Sequence, residues 1–115
     1  MKKRSEFPIH VLDYDGREVV ITEESWSHVI EGHDELRDQL ETIKETLRDP
    51  NYVELDDTMG GSVLRYYRLC KRLIRSGYLL VLVAETSSNP RAGKLLTAYL
   101  VSGIKKGGTM LWLKR

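Results

Sequence analysis

The chain has 115 residues, of which 41% are hydrophobic and 30% charged. That size and balance fit one globular domain with one core and exclude a disordered tail. No apolar run reaches the roughly 18 residues of a membrane-spanning helix, and the single cysteine, Cys70, excludes an internal disulfide and cysteine-based metal knuckles.

The formal net charge of +1 hides a division along the chain. Residues 1–59 carry 7 Lys/Arg against 16 Asp/Glu, whereas residues 60–115 carry 11 Lys/Arg and one acid, Glu85. Such a division predicts either a dipolar surface whose basic side is open to an anion such as nucleic acid, or two halves that interdigitate and neutralise each other. The basic start, residues 1–4, is followed by no apolar leader core, so a cytoplasmic location is expected.

In chain order, residues 1–8 read as a flexible lead-in. The runs Ile9-His10-Val11-Leu12 and Glu18-Val19-Val20-Ile21 flank Asp13-Tyr14-Asp15-Gly16. Asp-Gly between two apolar runs predicts a hairpin with a type I′ turn, because glycine tolerates positive φ. His10 reads as an ordinary strand residue. Thr22-Glu23-Glu24-Ser25 then supplies a hydroxyl cap and acids suited to a helix N-terminus. Trp26, Val29 and Ile30 follow at helical spacing as one buried stripe, and Gly32 is the expected stop. Asp34 is expected to cap a second helix, in which Leu36, Leu40, Ile43 and Leu47 form a stripe that Asp49-Pro50 ends.

From Tyr52 the period becomes two. Tyr52–Leu55 reads as a short strand, Met59-Gly60-Gly61 as a turn and residues 62–69 as an aromatic, β-branched strand. A helix stays open for that last segment, since Arg65, Arg68, Arg72 and Arg75 also fall at helical spacing. Ser76-Gly77 turns the chain into the apolar strand 78–85. Residues 86–93 read as a polar loop, residues 94–101 as a further strand, residues 103–108 as a basic link and residues 110–113 as a terminal apolar patch. Strands grouped apart from helices predict a single α+β domain over residues 1–115, with a hairpin, two helices on one face of the sheet and an antiparallel meander.

Among residues that could carry chemistry, His28 and His33 stand five apart, so on an ideal helix their side chains point about 140° apart. A zinc pair needs i, i+4 spacing, and no metal or cofactor is expected. Cys70 lies among Arg68, Lys71 and Arg72 but reads as a structural cysteine. Metal-free acid–base work on a phosphodiester fits better. RNA supplies its own nucleophile, the 2′-hydroxyl, and histidine can exchange the protons. Arg65, Arg68, Lys71, Arg72, Lys94, Lys105 and Lys106 supply cations, Thr97 and Tyr99 supply hydroxyls, and Tyr66, Tyr67 and Trp112 could stack on bases.

Ile21-Thr22 leading to Trp26-x-His28-Val29-Ile30-x-x-His33-Asp34-Glu35 begins an ordered set of motifs. It continues through Asp49-Pro50, the Tyr/Arg-rich strand, the apolar strand 78–83, Leu96-Thr97-Ala98-Tyr99 and a closing Lys-x-Gly before Trp112. Over residues 9–113 the set resembles the phage-associated nuclease-like domains grouped with barnase, EndoU, colicin E5/D and RelE (the BECR fold). The resemblance implies two helices on a four-stranded antiparallel sheet, and a metal-independent endoribonuclease of the toxin or phage and mobile-element kind, acting on tRNA or mRNA. It carries the helix histidines onto His28 and His33, the last-strand Thr-x-Tyr onto Thr97 and Tyr99, and basic strand positions onto Arg65 or Arg68. Lys94 and Lys106 would add to phosphate binding. One histidine is expected to face the sheet, and His28, inside the regular helix, is the better placed. The alternative within the same fold is a non-catalytic RNA- or protein-binding module, with the acidic first half docking an antitoxin or other partner protein.

Overall fold

The computed structural model describes residues 6–56, 62–104 and 107–114. The start of the lead-in (residues 1–5), the Met59-Gly60-Gly61 turn, Lys105 and Lys106 lie outside the described residues. The hairpin forms as expected from β1 (Ile9–Leu12) and β2 (Glu18–Ile21), with Ile9 opposite Ile21 and Leu12 opposite Glu18. Its turn is not type I′. Only Gly16 has positive φ (82°), and its N–H donates to Asp13 O at 3.1 Å. The side chain of Asp13 sets this geometry, because Oδ1 accepts the N–H of Asp15 at 2.9 Å and of Arg17 at 2.8 Å.

Thr22 caps α1 (Glu23–Gly32), accepting Ser25 N–H at 3.0 Å. Val29 is buried, while Trp26 and Ile30 are half-buried. The expected second helix is divided. A single 3-10 turn, Asp34–Leu36, precedes α2 (Leu40–Arg48). Leu36, Ile43 and Leu47 are all fully buried, so the apolar stripe forms, but on two separate elements. The 3-10 turn packs Leu36 beside α1 before α2 starts along the sheet.

The sheet corrects the expectation of four antiparallel strands. It has seven strands, in the order β1-β2-β6-β5-β4-β3-β7, and it is mixed. Its remaining members are β3 (Tyr52–Asp56), β4 (Val63–Leu69), β5 (Tyr78–Ser88), β6 (Arg91–Val101) and β7 (Thr109–Leu113). The polar segment read as a loop is the extension of β5 into β6, turning at Asn89-Pro90. Its serines, Ser87 and Ser88, pair with Ala92 and Arg91, and no apolar alternation marks them. That extension gives β2 a parallel partner, with Glu18 opposite Ala92 and Val20 opposite Lys94. The terminal apolar patch becomes β7, antiparallel to β3.

The two faces of the sheet differ. Leu64, Tyr66, Leu79, Val81, Val83 and Ala98 face the helices and form the core with Val29, Ile43 and Leu47. Arg65, Tyr67, Leu80 and Leu82 alternate with them on the other face, as the register of β4 and β5 requires. The sheet curls enough that its two ends meet. Tyr14, in the β1–β2 turn, lies with its ring centroid 5.5 Å from that of Trp112 in β7. No helix among the described residues is long and apolar enough to cross a membrane.

A buried polar cluster ties the hairpin to the centre of the sheet. Asp13 Oδ2 accepts from the Tyr66 hydroxyl at 2.6 Å and from Arg17 Nη1 at 2.7 Å. Burial, then the bond to Asp13, pushes the Tyr66 phenol well above its ordinary pKa. Burial opposes the Arg17 charge, but contacts with Tyr66 and Asp13 outweigh it and raise its pKa. Asp13→Ala would strand a buried guanidinium and is expected to cost about 3–5 kcal/mol, read as a shift in urea midpoint. The raised Tyr66 pKa favours the neutral phenol in the folded state. Its contribution is therefore full below the unfolded value of about 10 and lost as pH rises beyond it. Urea melts at neutral and strongly alkaline pH should show a smaller alkaline loss in Tyr66→Phe than in the wild type.

Candidate active site

Thr97 and Tyr99 reach their positions through a β-bulge. Leu95 pairs with Val83 and faces the core, and a regular strand would place Thr97 on that face too. The register shifts between Leu82 and Val83, so Leu96 has no partner and Thr97 pairs with Leu82. The extra residue reverses the alternation. Ala98 returns to the core, while Thr97 and Tyr99 face the open side.

There they line a cavity of about 300 Å³ with Arg65, Asp56, Leu80, Leu82, Val63 and Leu96. His33 reaches Tyr99. The rings stack with centroids 5.4 Å apart and planes 25° from parallel. Helix α1 ends at Gly32, and His33 leaves helical geometry at φ −141°, ψ 74°. This break carries its ring toward β6. His33 Nδ1 also lies 3.8 Å from Glu35 Oε2.

His28 is exposed and lines a separate shallow groove of about 260 Å³ with Glu24, Ser25, Lys94, Leu95 and Leu96. Leu96 belongs to both depressions and partitions them. The structure thus brings His33, Tyr99, Thr97 and Arg65 together and sets His28 with Lys94 next door. His33, rather than the His28 favoured from helix regularity, stacks on Tyr99, while His28 shares its groove with Lys94, Leu95 and Leu96 of β6.

Arg65 is buried and committed. Nε donates to Glu54 Oε1 at 3.0 Å, Nη2 contacts the same oxygen, and Nη1 pairs with Asp56. Burial opposes its charge, but hydrogen bonds to Glu54 and Asp56 outweigh this and raise its pKa. Gly108 N–H closes the cluster on Glu54 Oε2 at 3.0 Å. A Cβ at Gly108 would lie 2.4 Å from Leu55 O, so the close approach needs glycine there.

Arg68 takes no part in this group, because it bonds to Asp49 at the far end of β4. Lys106 is outside the described residues. His10 is exposed on β1, 3.4 Å from Glu18, and Cys70 is buried and free. Among the described residues, no three His, Cys, Asp or Glu side chains group closely enough to hold a metal ion.

The Glu54–Arg65–Asp56 cluster carried no signal in the sequence. Glu54 is 1% exposed although it sits between apolar Val53 and Leu55, where alternation predicts a solvated side chain. Arg65→Met should leave two carboxylates without their cation and lower stability by about 3–5 kcal/mol in urea denaturation. The double variant with Glu54→Gln should recover part of that loss.

Arg65 on β4 and Thr97 and Tyr99 on β6 share the open face, His33 stacks on Tyr99, and His28 lies in the adjoining groove. A family model described as phage-Barnase-EndoU-ColicinE5/D-RelE like nuclease 2 matches residues 2–100. No curated protein and no solved structure matches the chain. The matched span begins before the hairpin, ends one residue short of the end of β6 and takes in His28, His33, Arg65, Thr97 and Tyr99, while β7 lies beyond it. With most of its length matched, the chain belongs to the phage-associated BECR family of nuclease-like domains.

Proposed function

We propose that this nuclease-like domain is a metal-independent endoribonuclease whose active site lies on the open face of the sheet at β6, where His33, just past the end of α1, meets Tyr99. The observation that carries the reading is the stacking of His33 on Tyr99 at a cavity that also holds Thr97. In this reaction the 2′-hydroxyl attacks the adjacent phosphorus. A base takes its proton, and an acid returns one to the departing 5′-oxygen. His33 is the proton carrier, Tyr99 fixes its ring, and Thr97 donates to a phosphate oxygen. Lys94 makes no ion pair among the described residues. With His28 beside it, Lys94 would hold the neighbouring phosphate across Leu96.

A second reading rests on Arg65. Glu54 and Asp56 already neutralise that guanidinium, so the cavity offers no free arginine to the charge that builds up on phosphorus. This arrangement favours a non-catalytic RNA-binding module of the same fold.

Incubation with total tRNA in excess EDTA separates the two. Cleavage is expected, with His33→Ala losing at least about 100-fold in rate and His28→Ala losing less. DNA of matched sequence should stay intact, because it lacks the 2′-hydroxyl. Cleavage that persists in the double histidine variant would remove the mechanism. Salt-dependent RNA binding without cleavage would establish the binding module.

A further inference from the structure

Away from Thr97 and Tyr99, the β1–β2 turn, the end of α2 and β7 enclose a larger cavity of about 500 Å³. Small-ligand sites commonly measure about 300–1,000 Å³. Two aromatic rings form one wall. Trp112 is fixed by donation from its indole N–H to Pro50 O at 3.2 Å. It packs on Tyr14 and still leaves 41% of its surface exposed.

Two guanidinium groups form the other wall. Arg17 is only 5% exposed. Asp13 is its one carboxylate partner within hydrogen-bond distance, with Glu85 at 3.8 Å, and Arg17 Nε has no acceptor among the described residues. Arg48, on the last turn of α2, makes no ion pair among the described residues. The two acids at the mouth are already matched, Asp15 by Arg91 and Asp49 by Arg68 and Lys114. Hydrogen bonds from Lys114 and Arg68 hold the Asp49 carboxyl below its ordinary pKa, so it stays an anion and an acceptor.

An exposed indole face beside the Arg48 guanidinium, which has no ion-pair partner among the described residues, selects a planar ring that carries an anion. Matched carboxylates at the rim can accept from hydroxyl groups. We propose that this cleft binds a nucleotide, with its base on Trp112, its phosphate toward Arg48, and its ribose hydroxyls toward Asp15 or Asp49. The nucleotide is either a free nucleoside monophosphate or the 5′-phosphorylated end of an RNA strand. The site does not depend on the ribonuclease reading. Leu111 and Trp112 lie beyond the residues that the family model matches.

The test is a titration of the whole chain in EDTA, read by tryptophan fluorescence and amide and indole NMR shifts. The probes are AMP, GMP, CMP, UMP, adenosine, inorganic phosphate, and short RNAs with a 5′-phosphate or a 5′-hydroxyl. At least one mononucleotide, or the phosphorylated RNA, should bind roughly tenfold more tightly than adenosine or phosphate. Shifts should concentrate on Tyr14, Arg48 and the Trp112 indole. Arg48→Gln alters an exposed side chain and should weaken nucleotide binding roughly tenfold while leaving adenosine binding and the melting temperature unchanged. Trp112→Phe should weaken nucleotide and adenosine together. Tighter binding of phosphorylated RNA than of the mononucleotides would assign the strand end, and equal binding the free nucleotide. The proposal is overturned if nucleotides bind no better than phosphate or adenosine, if Arg48→Gln binds like the wild type, or if the shifts fall on Thr97 and Tyr99.

Discussion

The Asp13 carboxylate is the constraint on which the arrangement of the molecule rests. One oxygen shapes the β1–β2 turn through two backbone N–H groups, and the other holds Arg17 and Tyr66. The local and the long-range structure are thereby coupled, because the turn has its observed form only where Tyr66 of β4 can meet it. A buried ion pair of this kind adds little net stability compared with apolar packing, since both charges lose water. What it supplies here is position. It fixes the hairpin against the core face and sets Tyr14 against both Tyr66 and Trp112.

The two depressions that share Leu96 depend on irregularities. A regular β6 would have turned Thr97 into the core, and His33 meets Tyr99 from outside helical geometry, as the C-cap of α1. The bulge at Leu96 turns Tyr99 to the open face, and His33, just past the end of α1, stacks on it there. Bulges commonly re-aim side chains next to active sites. Here a single extra residue also supplies the partition between the His33 and His28 sides.

The division of charge along the chain resolves into contacts between its halves. Arg65, Arg68, Arg91 and Lys114 all pair with acids of the first half, and Arg17 approaches Glu85 of the second. The halves interleave in the sheet, because β1, β2 and β3 lie outside the central β4, β5 and β6. Part of the basic surplus is therefore neutralised within the fold. Lys94 and Arg48, which have no such partners among the described residues, lie in two different clefts.

Features that depend on neighbours a few residues away could be read from the chain alone. The Thr22 cap, the stripe through Ile43 and Leu47, the hairpin arms and the apolar strand beginning at Tyr78 were legible because helical and strand periods are local. The motif order also identified the family and the residues that gather at β6. Only the assembled sheet fixed the seven-stranded order, the parallel pairing of β2 with β6, the bulge that turns Thr97 outward, and the choice of His33 over His28 as the partner of Tyr99. It also fixed that Glu54 and Asp56 occupy Arg65, and that Tyr14 and Trp112 form one wall. Most of these partners stand tens of residues apart, and strand periodicity records only that a side chain alternates. Which residue lies opposite, and whether a charge there meets water or another charge, is settled only when the strands pair.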